Sequence, residues 1–165
     1  MVFSLGNYFT SKLKYFVKFT IVNKDNPGEF NFIQSEYPLN YSRNNHFFST
    51  LKTLESDEYY QGKLVVIVNE ESISHAEYVA MAFRAGDNTI IIGSQTQGAD
   101  GNVTDIVLPG GLKSWFSGIG IYYPNGRGTQ RIGIVPDIEV KPTIQGIREG
   151  RDELLEKAIE IIKQN

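Results

Sequence analysis

Residues 69 to 83 read NEESISHAEYVAMAF, and two residues in that run could do chemistry. Ser74 stands just before an apolar-periodic segment, and Glu77 follows three residues later. That spacing is a helix capping box, in which hydroxyl and carboxylate each satisfy a free backbone N–H at the helix start. The same position suits a nucleophile. A hydroxyl between a buried strand and a helix N-terminus sits at the carboxyl end of a sheet, where α/β sites form. Backbone N–H groups at the helix start can stabilise an oxyanion there. Ser72-Ile73-Ser74 has no flanking glycines, so it is not a Gly-x-Ser-x-Gly elbow. Spacing alone leaves cap and nucleophile both open.

A nucleophilic serine needs a base. The only histidines are His46 and His75. His75 adjoins Ser74, so on a helix its side chain turns about 100° away. His46 lies in a long polar connection and could fold back as the base, although an exposed loop histidine is the commoner case. Lys113 falls on an expected strand, where a solvated lysine is the ordinary reading. Other constellations carry less. GSQTQG (93–98) follows a strand but lacks the lysine and hydroxyl of a phosphate-binding loop. Asp100-Gly101-Asn102 has no closing glutamate for a calcium loop. Two histidines, no cysteine and no His-Glu-x-x-His make a zinc site improbable. No cofactor is expected. Arg127 and Arg131 beside Tyr122 and Tyr123 could touch an acidic partner, but solvated or stacked surface residues are the simpler reading.

The frame that must position Ser74 is legible from composition and period. The chain has 165 residues, 41% hydrophobic and 21% charged, enough for one domain with a real core. A net charge of −3 argues against a nucleic-acid footprint. The absence of cysteine excludes a disulfide framework, a thiolate metal site and a catalytic thiol. No apolar run approaches the roughly 18 residues of a transmembrane span. Lys12, Lys14 and Lys18 interrupt the N-terminal apolar residues, unlike a signal peptide. Alternation at Tyr15, Val17, Phe19 and Ile21, then the turn Asp25-Asn26-Pro27-Gly28, then Phe30 and Phe32, predict a hairpin. Residues 4 to 14 read as a short helix or loop. Residues 35 to 61 read as an irregular connection with a helical turn near Leu51 and Leu54. Lys63 to Val68 is a continuous apolar run, expected to be a strand buried on both faces. Ala76, Val79, Ala80 and Phe83 mark an inward helix face. Asn88 to Gly93 is the next strand, which completes a parallel βαβ unit. Thr104 to Phe116 predicts two strands about Pro109-Gly110-Gly111, and Asn125-Gly126 a further turn. Gly133 to Val140 carries a short extended segment limited by Pro136. A helix around Leu154 to Ile162, with Asp152 and Glu153 before it and Lys163 at its end, suits the helix dipole.

VNEESISHAE, IIGSQTQGADGNV, LPGGLKSWFSGIGIYYPNGRGTQRIGIVPDIEV and GRDELLEKAIEII occur in this order between about residues 60 and 163. Together they resemble peptidase family S41, the C-terminal processing or tail-specific serine proteases. The resemblance implies a ClpP/crotonase-like α/β fold with a parallel βαβ core plus antiparallel hairpins. It implies a serine-type peptidase acting on peptide or protein substrates through an acyl-enzyme. Ser74 falls on the nucleophile of the family's Ser-x-Ser-x-x-Glu run, Ser72 on its first serine and Glu77 on its acidic residue. The N–H of His75 would be an oxyanion donor. Where the processing branch has a lysine base after Thr-x-Gly, this chain has Ala99 after Thr96-Gln97-Gly98. That departure resembles the tricorn-like or retinoid-binding-protein-like branch, whose base is an earlier histidine, and Gln130 lies near that branch's acidic orienting residue. The family's peptide-binding domain, Asp-Leu-Arg strand and Gly-rich loop are not found upstream of Val68. The expectation is one domain over residues 1–165: a truncated S41-like fragment, with hairpin and irregular connection over 1–60 and core over 61–165. The alternative is a non-catalytic peptide-binding or assembly module. A lost upstream strand would leave a sheet edge free for homo-oligomerisation. The family's usual setting implies an extracytoplasmic parent protein.

Overall fold

The computed structural model describes residues 8–11, 14–22, 30–37 and 59–164. His46 and the turn expected near Leu51 lie outside the described residues.

The alternating N-terminal segment forms β1 (Lys14–Val22), antiparallel to β2 (Phe30–Tyr37). β2 runs three residues into the segment expected to be irregular, because its pairing with β1 continues to Lys14↔Tyr37. β3 (Leu64–Val68), α1 (His75–Arg84) and β4 (Thr89–Gly93) make the expected βαβ unit, with β3 and β4 parallel. β5 (Val103–Val107) and β6 (Lys113–Ser117) form a two-stranded antiparallel hairpin about Pro109-Gly110-Gly111. β7 (Ile121–Tyr122) joins β1, and β8 (Ile138–Glu139) adds in parallel to β4. α2 (Ile144–Arg148) is a short helix that the periodicity did not announce, capped by the Thr143 hydroxyl on Gly146 N–H at 2.9 Å. α3 (Glu153–Lys163) starts at the Asp152 cap and ends in Lys163, as its charge order predicts.

Two core clusters flank the parallel sheet. Ile91 packs with Phe16 and Val17 of β1 and with Ala80, Met81 and Ala82 of α1. Its neighbour Ile92 packs with Ala158 and Ile161 of α3. Successive strand residues point to opposite faces, so β4 separates α1 from α3. Asp87, just past α1, ties the chain before β1 to this core. It accepts from Ser11 N–H at 2.7 Å and pairs with Lys14. Burial alone would raise this carboxyl, but the hydrogen bonds from Lys14 and Ser11 hold it well below the usual carboxylate range.

Two expectations about burial need correction. β3 is not buried on both faces: only Val68 is buried, and Ile67 is 43% exposed. The reason is its place in the sheet, whose order is β3-β4-β8, so β3 is an edge strand among the described residues. The face of α1 that is buried is Glu77, Ala80, Met81 and Ala82. Of the expected inward set only Ala80 is buried. Ala76, Val79 and Phe83 instead line an apolar cavity of about 390 Å³ against β3.

Candidate active site

Ser74 caps α1 with φ 54° and ψ −115°. A non-glycine residue at positive φ is uncommon, and such strain concentrates at functional sites. Ser74 and Glu77 stand in the capping-box relation, and the Ser74 N–H donates to Glu77 Oε2 at 3.1 Å. The other half is present too, the Ser74 side chain facing the Glu77 N–H. That N–H donates to the Ser74 carbonyl at 2.9 Å, and the hydroxyl makes no cap hydrogen bond of its own. Ser74 is exposed at the helix mouth.

Glu77 is 0% exposed and has four donors. Oε1 accepts from Thr96 Oγ1 at 2.5 Å and Gly98 N–H at 2.7 Å. Oε2 accepts from Ser74 N–H and from Ala99 N–H at 2.9 Å. One carboxylate thus joins the start of α1 to the loop after β4. Sequence reasoning read Glu77 as half of a local cap; three of its four partners lie about twenty residues away. The loop is held from its other side by Thr96 Oγ1, which accepts from Ile134 N–H at 2.7 Å. Gly98 has φ +74°, and a Cβ there would sit 2.8 Å from Gly133 N. Only glycine allows so close an approach with that backbone.

Ser72 builds the preceding turn. Its hydroxyl donates to Asn69 Oδ1 at 3.2 Å, and its carbonyl accepts from Gln97 N–H at 3.1 Å. His75 begins α1, and its N–H has no hydrogen-bond partner among the described residues. Its ring stacks on Tyr78, centroids 6.1 Å apart, and Tyr78 packs edge-on to Phe16. No described histidine or lysine is hydrogen-bonded to Ser74. Lys113 lies on the exposed β5–β6 hairpin. Gln130 does not reach Ser74; its amide donates to the carbonyls of Asp100 and Ile119, both at 2.8 Å. It braces the loop backbone.

Asp100 is a residue that the sequence reading weighed only as part of a calcium loop. It follows Ala99, is 5% exposed, and spends Oδ1 on Gly101 N–H at 2.7 Å. Its Oδ2 is buried with no hydrogen-bond partner among the described residues. Burial pushes this carboxyl up to about 6; the Glu77 carboxylate adds to the rise, while the Gly101 hydrogen bond and His75 oppose it. Its only signal in the sequence is an aspartate directly after the Thr-x-Gly-Ala loop. Among the described residues no group of three or more histidine, aspartate or glutamate side chains could hold a metal ion. No helix among them is long and apolar enough to cross a membrane.

The profile of the Peptidase family S41 matches residues 10–140. The chain belongs to peptidase family S41. Proteins of Chlamydia trachomatis serovar D and Chlamydia muridarum are each 28% identical over 109 residues, covering 64% of this chain. The chain spans 18% of the length of these relatives. The structure of mature CPAF bound to lactacystin is 27% identical, with a TM-score of 0.57, over 64% of this chain and 21% of that one. A peptidase candidate from Parabacteroides merdae superposes with a TM-score of 0.75 at 20% identity, over 98% of this chain and 47% of that one. The fold is that of the S41 peptidases: ClpP/crotonase-like, with a parallel βαβ core and antiparallel hairpins.

Two outcomes follow from the buried carboxyls. Glu77→Gln keeps the shape but turns an N–H₂ toward backbone donors, and should lower stability by about 2–4 kcal/mol; a urea-melt loss under 1 kcal/mol would refute the network. For Asp100 the folded state holds its proton to about pH 6 and the unfolded chain only to about pH 4. Stability from this group is therefore fully present in acid and falls by about 3 kcal/mol as pH rises through that window. Asp100→Asn should remove this fall. Parallel stability–pH curves for the two proteins between pH 4 and 7.5 would contradict it.

Proposed function

We propose that Ser74 is the nucleophile of a serine-type peptidase site that cleaves peptide bonds through an acyl-enzyme. The observation that carries this is the strained Ser74 backbone at a helix mouth, with the hydroxyl unspent on capping and the adjacent His75 N–H unpartnered among the described residues. In this reading the Ser74 Oγ attacks a peptide carbonyl, and its proton passes to a base. The His75 N–H donates to the oxyanion as it forms, an interaction stronger in the transition state than in the substrate complex. Collapse expels the amine, which takes the proton, and water then releases the acyl group.

The described residues offer no base in contact with Ser74, and the candidate base His46 lies outside them. Incubation with a fluorescent fluorophosphonate tests the reading. Saturating incorporation lost in Ser74→Ala is expected, and equal incorporation in both proteins would rule it out.

A second reading, assembly or peptide binding without catalysis, is favoured by the edge of β3 and the apolar cavity beside it. The β5–β6 hairpin adds apolar surface, with Trp115 59% exposed. An edge left unpaired among the described residues, beside an apolar groove, invites pairing with a second chain. This reading predicts a homo-oligomer that weakens when Ile67, whose side chain is exposed on that strand, becomes lysine. Sedimentation showing a monomer at all concentrations would remove the oligomer.

A further inference from the structure

A serine site of this kind needs an acidic group to hold its base in the working tautomer and to stabilise the cation that forms. Gln130 carries no charge, and its amide is occupied by the carbonyls of Asp100 and Ile119. The residue it braces is itself an acid. Asp100 follows Ala99, whose N–H shares the Glu77 Oε2 atom with the Ser74 N–H. Both backbone nitrogens are thus within hydrogen-bond distance of one oxygen, and Asp100 is the next residue along the loop.

We propose that Asp100 is the positioning carboxyl of the Ser74 site, its buried Oδ2 reserved for an imidazole or ammonium group that serves Ser74 as base. This rests on the reading of Ser74 as nucleophile. Oδ1 is committed to Gly101, whereas Oδ2 is buried and unpartnered among the described residues. A buried acceptor left without a donor is costly and calls for an explanation, of which a catalytic role is one. The charged and titratable groups acting on it are Glu77 and His75, both on α1; the Gln130 side is uncharged. The carboxyl rises to about 6, so it is mostly ionised at neutral pH, the state able to accept from a protonated base.

The test is the rate of fluorophosphonate labelling of the full chain between pH 5 and 8.5, for the native protein, Asp100→Asn and Ser74→Ala. In the labelling step the Oγ–P bond forms, the P–F bond breaks with loss of fluoride, and the hydroxyl proton passes to the base. The native rate should rise through an inflection as the base loses its proton. Asp100→Asn should label about 100-fold more slowly or worse, with that inflection moved to lower pH, since an amide presents the wrong group to the base and no longer stabilises its charged form. Asparagine is nearly isosteric, and an unchanged circular-dichroism spectrum and cooperative melt separate loss of role from loss of fold; if it does not fold, Asp100→Ser is compared in its place. Native labelling that depends on Ser74 but keeps its rate and inflection in the position-100 variant overturns the role of Asp100 alone. Labelling independent of Ser74 removes the nucleophile and this proposal together.

Discussion

The site depends on one buried carboxylate. Glu77 brings no charge to solvent and has no ion-pair partner among the described residues, yet each oxygen receives two donors. A buried carboxylate without partners would be strongly destabilising. With four donors it becomes a junction instead, because the donors come from separate parts of the chain. The Ser74 N–H lies at the mouth of α1, and Thr96, Gly98 and Ala99 belong to the loop leaving β4. Removing the junction would loosen two segments at once, leaving among the described residues the Gln97 N–H on the Ser72 carbonyl, the Ser94 N–H on the Val68 carbonyl and the Ser94 hydroxyl on Glu70 to join them.

That junction explains how Ser74 can hold an unfavourable backbone. A non-glycine residue in such a region costs on the order of 1–3 kcal/mol. The cost is tolerable because the N–H of Ser74 is fixed by Glu77 and its carbonyl accepts from Glu77 and Tyr78 N–H groups at 2.9 and 3.1 Å. With both backbone groups pinned, the residue cannot relax to an ordinary cap. An ordinary serine cap would turn its hydroxyl onto the first helical turn. Here the Glu77 N–H goes to the Ser74 carbonyl, and the hydroxyl, though it faces that N–H, makes no hydrogen bond to it.

Local order was legible in the sequence because local rules produced it. The apolar run of β3, the Ser74–Glu77 spacing and the run of β4 each carry their own signal, and parallel pairing follows from strand, helix, strand. The β5–β6 hairpin was legible from Pro109-Gly110-Gly111. What stayed hidden depends on contacts distant in sequence. The helix period marked Ala76, Val79, Ala80 and Phe83 as apolar but could not say that β3 would be an edge among the described residues, which leaves all four lining a cavity. A glutamate on the buried face of α1 breaks the apolar pattern, and a local cap seemed to account for it. Its real explanation, the donors of Thr96, Gly98 and Ala99, appears only once the chain has folded back. α2 is five residues long and too short to show a period.

Glu77 and Asp100 together show why burial alone does not set what a carboxyl does. Both are almost wholly withdrawn from solvent and both belong to the same loop junction. Glu77 has four donors, and Asp100 has one, from its own neighbour. Desolvation weighs on each, but only Asp100 meets it with so little compensation, and it also feels the charge of Glu77. An apolar or amide side chain at position 100 would spare the fold that conflict at neutral pH. The stable junction and the incompletely paired acid are therefore complementary: the first holds the loop in place, and that rigidity is what allows the second to remain buried one residue beyond Ala99.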